Sequence, residues 1–468
     1  MMANFEIGIC NDSTENHMIR PNTMKKTLLI ALAGIMLAGC AQKNPVLTVT
    51  GGQIQGIESA DPEVIVYKGV PYAAPPVGEL RWQAPQPVAA WDFILTADTF
   101  SAICPQPGNP PGTFYGDEFY WEDNPEESED CLYLNIWAPA KTVGDTGADL
   151  PVAMWVHGGA FMNGYGHEVT MDGDAWARRG VILVTINYRL GRFGFMSHPL
   201  LSEEQGGKSG NYGMLDQVAA LKWISDNIAQ FGGNPENITI FGQSAGAMSI
   251  KNLVTSPLSK DMVAKAIIQS GGGVSNYPGT EPAPQSFYDE QGKKFMDANG
   301  WTTLEEMRAA SWEEIKNATT EVGRFSPHPD GHFMTEDFNA AALGGRIADI
   351  PYMIGCTADD MGGLGGNSIS DFCELRSEQS EQPAYQYFFK RNPPGDDDDP
   401  EKDPGAFHSA ELWYMFGTLD NSWRPFTEAD RVLSDEMLDA WTSFCRDGNP
   451  GWDEYTKTNP VIKEFDIK

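Results

Sequence analysis

The sequence predicts an α/β fold: a large, mostly parallel β-sheet with helices on both of its faces. Short apolar strands alternate with helical stretches over most of the chain, which is the element order of such sheets. The strand predicted over 181–188 is β-branched and apolar on both faces, as parallel strands are. A further strand at 238–241 runs through a Gly-x-Ser-x-Gly motif directly into a helical stretch.

The first part of the chain predicts strands joined by proline-rich connections. Prolines over 68–82 are too dense for a helix or a central strand, because proline cannot donate the N–H that both require. Apolar runs predict the strands, which we expect within 41–60, as an edge hairpin turning at Gly51-Gly52, and over 128–137 and 151–157.

The later part of the chain alternates helices and strands. Between Gly213 and Gly232, apolar residues recur at three- and four-residue spacing, and a glycine pair ends the predicted helix. Residues 275–345 form a helix-rich insertion, which we expect to form the pocket. Its amphipathic helices are expected at 301–310 and 312–319, and the remaining sheet strands at 264–269, 350–356 and 385–390.

A chain of 468 residues could form two or three average domains, but large α/β enzymes also hold one continuous sheet at this length, and we expect a single domain over 40–468. Hydrophobic residues make up 41% of the 468, enough for a sizeable core. The formal net charge of −33 repels nucleic acid and anionic lipid, so neither is expected as a ligand. The acidic run at 396–401 lacks the ligand spacing of a calcium loop and is expected to be a solvated loop. We expect neither a metal ion nor an organic cofactor.

The N-terminus predicts an export signal. A charged start at Met24 leads into an apolar run of roughly ten residues, too short to span a bilayer, and then into small residues ending at Cys40. This ending resembles a bacterial lipoprotein box, whose cysteine becomes the lipidated first residue. We therefore expect a signal peptide over 24–39, a lipid on Cys40 and an exported, membrane-anchored protein. Residues 1–23 are expected to be an upstream extension; the alternative is a short N-terminal membrane anchor.

Ser244 is the candidate nucleophile. A strand, Gly-x-Ser-x-Gly and a helix in direct succession form a nucleophile elbow, a sharp turn that exposes the serine oxygen. Gly242 and Gly246 lack the Cβ atoms that would clash in this turn, and the helix N-terminus favours an oxyanion. A chance motif in a chain with 49 glycines is the alternative, which the flanking strand and helix disfavour.

A serine nucleophile needs a base, and the base is expected after Ser244 in the chain. His408 follows the strand predicted at 385–390 and precedes an apolar helix start, whereas His328 and His332 straddle a turn sequence in the insertion. The sequence therefore favours His408 as the base.

The base needs a carboxylate, and the oxyanion needs backbone donors. The strand at 350–356 ends just before Asp359 and Asp360, which sequence position alone does not separate, and Asp330 is a more distant third candidate. Oxyanion donors are expected from Ala245 and from the His-Gly-Gly loop that follows the strand at 151–157.

Together these motifs resemble the type-B carboxylesterase/lipase family, which includes the cholinesterases and has the α/β-hydrolase fold. The resemblance extends from about residue 46 to the C-terminus. Besides the elbow and the His-Gly-Gly loop, it is carried by the motifs at 68–82, 129–135, 187–191 and 231–235.

The resemblance implies a role for each site residue. It implies that Ser244 is the nucleophile, His408 the base and Asp360 the acid, at a position where the family usually has glutamate. Met361 replaces a glycine in the same stretch. The oxyanion donors fall on Gly159, Ala160 and Ala245.

The resemblance also implies a disulfide between Cys104 and Cys131, which flank a polar loop. Cys356 and Cys373 are a candidate second pair, and Cys445 is expected to pack as a small apolar residue.

The implied activity is hydrolysis of a small carboxylic ester through an acyl-enzyme. One alternative is a catalytically silent binding module, because the family includes members that lost the triad. Another is an esterase for ester-decorated plant polysaccharides. The segments 275–345 and 360–380 match the family poorly, so the resemblance does not indicate the acyl or alcohol preference.

Overall fold

The computed structural model describes residues 44–121, 124–274, 283–319, 321–361, 367–395 and 405–467. All of them fall within the unit Asn44–Lys468. The expectations for the upstream extension at 1–23, the signal peptide at 24–39, Cys40 and the acidic loop at 396–401 lie outside the described residues.

Two sheets organise the described chain. The strands, in chain order, are β1 (Val46–Val49), β2 (Gly52–Gln55), β3 (Ile57–Glu58), β4 (Val64–Pro71), β5 (Ile94–Thr96), β6 (Tyr133–Pro139), β7 (Leu150–Val156), β8 (Ile182–Ile186), β9 (Gly233–Gln243), β10 (Lys265–Gln269), β11 (Tyr352–Thr357), β12 (Ala384–Phe389) and β13 (Ile462–Phe465). The large sheet has the order β13-β12-β11-β10-β9-β7-β8-β6-β4-β3, and β1, β2 and β5 form the small one.

The large sheet is mostly parallel, as predicted. Every neighbouring pair from β8 through β7 to β13 is parallel. Strands β3, β4, β6 and β8 pair antiparallel at the other end. The hairpin predicted within 41–60 is formed by β1 and β2, but it belongs to the small sheet because β2 pairs with β5.

Helices cover both faces of the large sheet. They are α1 (Phe114–Phe119), α2 (Asp174–Arg178), α3 (Gly191–Phe195), α4 (Pro199–Glu204), α5 (Tyr212–Asn227), α6 (Ala245–Leu253), α7 (Gln285–Ala298), α8 (Leu304–Ala309), α9 (Trp312–Asn317), α10 (Phe338–Leu343), α11 (Asn367–Gln379), α12 (Leu412–Phe416) and α13 (Glu428–Asp447).

Alternating side chains of the central strands pack into two separate apolar cores. On β9, Ile240 packs in a core with residues of α5, α6 and α11, whereas Phe241 packs in a second core with α2, α12 and α13. Successive strand residues point to opposite faces, so the two cores lie on the two faces of the sheet. This double cover explains why the central strands are apolar throughout.

The helix-rich insertion is present, and its short helices begin at capping boxes. The Thr303 hydroxyl accepts from the Glu306 N–H and Ser311 does the same for Glu314, while each glutamate side chain returns to the cap backbone. The observed starts of α8 and α9 follow from these caps. The predicted helix at 301–310 was therefore placed three residues too early.

The structure contains the disulfide between Cys104 and Cys131. The second pair proposed from the sequence is wrong, because Cys356 and Cys373 are not disulfide-bonded to each other. Both are buried, as Cys445 is, and Cys373 packs in the core around α11. None of the described helices is both long and apolar enough to cross a membrane.

Candidate active site

Ser244 lies in strained backbone geometry between β9 and α6. Its φ of 58° and ψ of −122° belong to a region that non-glycine residues rarely adopt. The turn holds because Gly246 leaves room for the neighbouring strand: a Cβ there would lie 2.0 Å from the Val156 carbonyl oxygen. The Ser244 N–H donates to the Gln269 carbonyl at 2.9 Å. This geometry is the elbow that the motif predicted.

The loop after β7 lies against the elbow and is also strained. Gly159 and Ala160 have φ of 92° and 56°, in the left-handed region. A Cβ on Gly158 would lie 2.9 Å from the Gln243 carbonyl oxygen, so the loop can approach Ser244 only with glycine there. Gly159 and Ala160 line one cavity together with Ser244, and Ala245 follows Ser244 as the first residue of α6.

His408 and Asp360 are in direct contact, although 48 residues separate them. The His408 Nδ1 lies 2.5 Å from the Asp360 Oδ1, and both side chains are buried. Asp360 also accepts the Met361 N–H at 2.8 Å and the Thr357 N–H at 3.3 Å. Burial alone would raise the pKa of Asp360, but hydrogen bonds to the carboxylate, first of all the one from His408, hold it below its usual value.

The other two acid candidates have different tasks. The Asp359 Oδ2 accepts the Ala406 N–H at 2.8 Å, so this carboxylate ties down the chain just before His408. Asp330 accepts the N–H groups of His332 and Met334 at 2.9 Å and closes a local turn. Only Asp360, among these three aspartates, contacts the His408 ring in the described structure.

The alternative base His328 is a packing residue. Its ring stacks on Tyr288 at a centroid distance of 4.0 Å, and its Nδ1 lies 3.1 Å from the Ser326 carbonyl oxygen. His157, in the loop after β7, stacks on Tyr188, and burial lowers the pKa of His157 to about 4. The His157 imidazole is therefore neutral and fixes the loop.

Gln243 contacts the His408 ring, a contact that was not predicted from the sequence. Its side-chain Nε2 lies 3.2 Å from the His408 Nε2. With Nδ1 turned to Asp360, the His408 Nε2 is the ring nitrogen left to accept, so the Gln243 amide donates to it. The position next to Ser244 in the motif was a signal that could have identified this residue.

Glu411 is a second buried carboxylate close to Asp360 and His408, and it was not predicted from the sequence. It is fully buried; its Oε1 accepts from Gln269 at 3.3 Å, and its Oε2 has no hydrogen-bond partner among the described residues. Burial, reinforced by the negative charge of Asp360, raises the pKa of Glu411 to about 7. Its position three residues after His408 in the sequence does not predict that Glu411 is buried beside Asp360. Its contact with Gln269 forms only because β10 and α12 pack together.

This raised pKa predicts a pH-dependent cost in stability. An unfolded glutamate loses its proton near pH 4.5, whereas folded Glu411, with a pKa of about 7, keeps it until about pH 7. Between these values the folded state binds more protons, so its stability falls as pH rises. Relative to wild type, Glu411→Gln should therefore gain up to about 3 kcal/mol between about pH 4.5 and 8. Unfolding in denaturant at both pH values measures the gain; a pH-independent difference would contradict it.

Ser244 and His408 line a common cavity of about 230 Å³. Aromatic side chains of Tyr115, Phe119 and Trp155 form much of its wall. Glu168 also lines it, and burial raises the pKa of this carboxyl to about 8, so it is mostly neutral at pH 7. Among the described residues, no group of three His, Cys, Asp or Glu side chains could hold a metal ion.

The chain is similar to proteins that are named as esterases. The chain matches the Carboxylesterase family over residues 43–371 and 364–466. It is 33% identical to the para-nitrobenzyl esterase of Bacillus subtilis (strain 168), over 86% of this chain and 90% of that protein. The Fumonisin B1 esterase of Sphingopyxis macrogoltabida is 38% identical over 71% of this chain and 60% of its own length. The solved Geobacillus stearothermophilus carboxylesterase superposes with a TM-score of 0.73 at 29% identity, over 90% of this chain and 96% of that one.

Proposed function

The chain belongs to the carboxylesterase family and is a carboxylic ester hydrolase, and from this premise we propose that it acts through an acyl-enzyme formed on Ser244. The observation that carries the proposal is the shared position of three groups. Ser244 and His408 line one cavity, and the Asp360 carboxylate lies 2.5 Å from the Nδ1 of His408.

In the acylation step, the Ser244 oxygen attacks the carbonyl carbon of the ester while the His408 Nε2 takes its proton. The Gln243 amide releases Nε2 for this transfer. Asp360 holds the ring in the productive tautomer and stabilises the imidazolium. The N–H groups of Gly159, Ala160 and Ala245 stabilise the negative charge on the carbonyl oxygen.

Collapse of this first tetrahedral intermediate breaks the bond to the alcohol oxygen, which takes the proton of the imidazolium; the acyl-enzyme is then complete and His408 is again a base. Deacylation starts from this acyl-enzyme. A water molecule then attacks the acyl carbon as the His408 Nε2 takes its proton. Collapse of this second tetrahedral intermediate releases the carboxylic acid and returns the proton to Ser244.

The rival to this proposal is a binding module that retains the residues without turnover. The wild-type enzyme should hydrolyse 4-nitrophenyl butanoate and should lose this activity after reaction with one equivalent of a fluorophosphonate, which traps activated serines. Hydrolysis that survives full phosphonate treatment would contradict the acyl-enzyme. No hydrolysis and no labelling would favour the binding module.

We further propose that Cys40 carries a lipid that anchors the exported enzyme to a bacterial membrane. The support is the charged and apolar run before Cys40, which is too short to span a bilayer. Expressed from Met24 in a bacterial host, the protein should fractionate with membranes and require detergent for release. Cys40→Ala should move it to the soluble fraction with its esterase activity intact. Equal membrane binding of both forms would contradict the lipid anchor.

A further inference from the structure

A second and larger cavity also reaches Ser244. Its volume is about 610 Å³, and it shares Ala160, Ser244 and Met361 with the smaller cavity. Its other walls come from α6 and from the helix-rich insertion, including Met248, Lys251, Arg324, Asp337 and Phe338. An ester bound at Ser244 therefore has two spaces available, one for each side of its scissile bond.

Two of the charged side chains on the wall of this larger cavity, Lys251 and Asp337, already form hydrogen bonds within the protein. The Lys251 ammonium donates to the Gly271 carbonyl at 3.2 Å and to the Gly273 carbonyl at 2.9 Å. Burial lowers the pKa of Lys251 to about 8, while the Asp337 charge opposes this shift. Asp337 caps α10, because its carboxylate accepts the Ala340 N–H at 3.1 Å. These opposite charges offset each other at neutral pH.

Arg324 is the remaining charge on the wall. Its side chain is exposed, and it forms no ion pair or hydrogen bond among the described residues. A guanidinium is always charged and presents a planar set of donors that matches a carboxylate. The described wall of the larger cavity thus carries one net positive charge, in a protein whose formal net charge is −33.

The smaller cavity offers no comparable group. Its ionisable lining residues are tyrosines, His408 and Glu168, and burial keeps the Glu168 carboxyl mostly neutral near pH 7 by raising its pKa to about 8. A free carboxylate of a substrate would find no cationic arginine or lysine side chain among the described residues there, and it would lose hydration against aromatic walls. The two cavities therefore differ in charge as well as in size.

We propose that the enzyme takes esters bearing a free carboxylate on one side of the scissile bond, and that Arg324 binds this carboxylate in the larger cavity. The inference rests on the proposed hydrolysis at Ser244 and makes Arg324 a specificity-determining residue. The carboxylate belongs either to a dicarboxylic acyl group or to a hydroxy-acid alcohol. These two sources share the same recognition by the guanidinium.

Two matched pairs of substrates distinguish a carboxylate on the acyl group from a carboxylate on the alcohol. Mono-4-nitrophenyl adipate against 4-nitrophenyl hexanoate tests a carboxylate on the acyl side. A comparison of the 4-butanoyloxybutanoate anion with butyl butanoate tests a carboxylate on the alcohol side, with hydrolysis measured by pH-stat. In one of the pairs, wild type should show a kcat/KM at least about tenfold higher for the anionic ester, since hydrogen bonds to charged groups are worth that much or more.

Arg324→Gln should remove this preference by raising KM for the anionic ester, with kcat and the neutral ester unchanged. Arg324→Lys should keep part of it. The matched control is Arg431→Gln, which removes an exposed arginine that pairs with Asp420 and lines neither cavity. It should leave the preference intact.

A measurement on wild type alone covers the case in which the variant does not fold. Free adipate should inhibit competitively, and added NaCl at about 0.5 M should weaken the preference for the anionic ester by screening. Hydrolysis of both pairs without an anionic preference, or a preference that survives in Arg324→Gln, would overturn the inference. If no ester is hydrolysed at all, the proposed acyl-enzyme fails as well.

Discussion

Ser244→Ala should lower kcat for ester hydrolysis by about a millionfold, the scale seen when a serine protease loses its nucleophile. Without the hydroxyl no acyl-enzyme forms, and the remaining rate comes only from binding and from the oxyanion donors. The substitution removes one oxygen from a half-buried side chain and leaves Gly242 and Gly246 to support the turn. Stopped-flow release of 4-nitrophenolate from an activated ester measures the loss.

The control for this variant is Ser249→Ala in α6, the helix that follows Ser244. Ser249 is buried and accepts a hydrogen bond from Gln217 at 3.1 Å, so its loss affects packing near the site without removing a nucleophile. We expect a change in kcat of less than about tenfold, since such losses act through stability. Comparable activity in Ser244→Ala and wild type, with both folded by circular dichroism, would exclude Ser244 as the nucleophile.

Asp360→Asn should lower kcat/KM by at least about a hundredfold, and up to about 10⁴-fold as in the trypsin variant that this change imitates. Asparagine keeps the shape of the side chain, but its amide N–H₂ cannot accept the Nδ1 proton of His408. The ring then favours the tautomer that presents a protonated Nε2 to Ser244, and the imidazolium loses its counter-charge. The 2.5 Å contact makes Asp360 the position where this effect should be greatest.

Asp359→Asn and Asp330→Asn are the matched controls. An asparagine in place of Asp359 retains a carbonyl oxygen that can accept the Ala406 N–H, so the loop before His408 should stay in place. Asp330 caps a turn in the insertion and should affect activity still less. Both variants should lose less than about tenfold in kcat/KM. If Asp359→Asn instead showed the large loss of kcat/KM, the assignment of the acid would be wrong by one residue.

The predictable parts of the site are those whose geometry depends on residues that are close together in the sequence. The elbow at Ser244 needs a strand, two glycines and a helix within a dozen positions, so its geometry can be predicted from the motif alone. The close approach of the loop after β7 to Ser244 follows for the same reason, because Gly158 must lack a Cβ. The pattern of apolar strands likewise predicted the parallel sheet, because strands covered on both faces need no polar alternation.

The parts that were not predictable depend on packing between distant elements. Glu411 lies behind Asp360 only because α12 packs against the end of β10, and no spacing in the sequence encodes that approach. Residue separation could not exclude a disulfide between Cys356 and Cys373, whereas the structure shows two buried thiols that are not bonded to each other. Arg324 lies in a segment with no recognisable motif, and its place on the wall of the larger cavity follows from how the insertion folds.

The most direct test of the central claim is to locate the residue that becomes covalently modified. The wild-type enzyme would be reacted with a fluorophosphonate, digested and analysed by tandem mass spectrometry of its peptides. We expect a single phosphonate adduct on Ser244, in proportion to the activity lost, and none in Ser244→Ala. Full inactivation with the adduct on another residue, or an unmodified Ser244 in the inactivated enzyme, would contradict the acyl-enzyme mechanism.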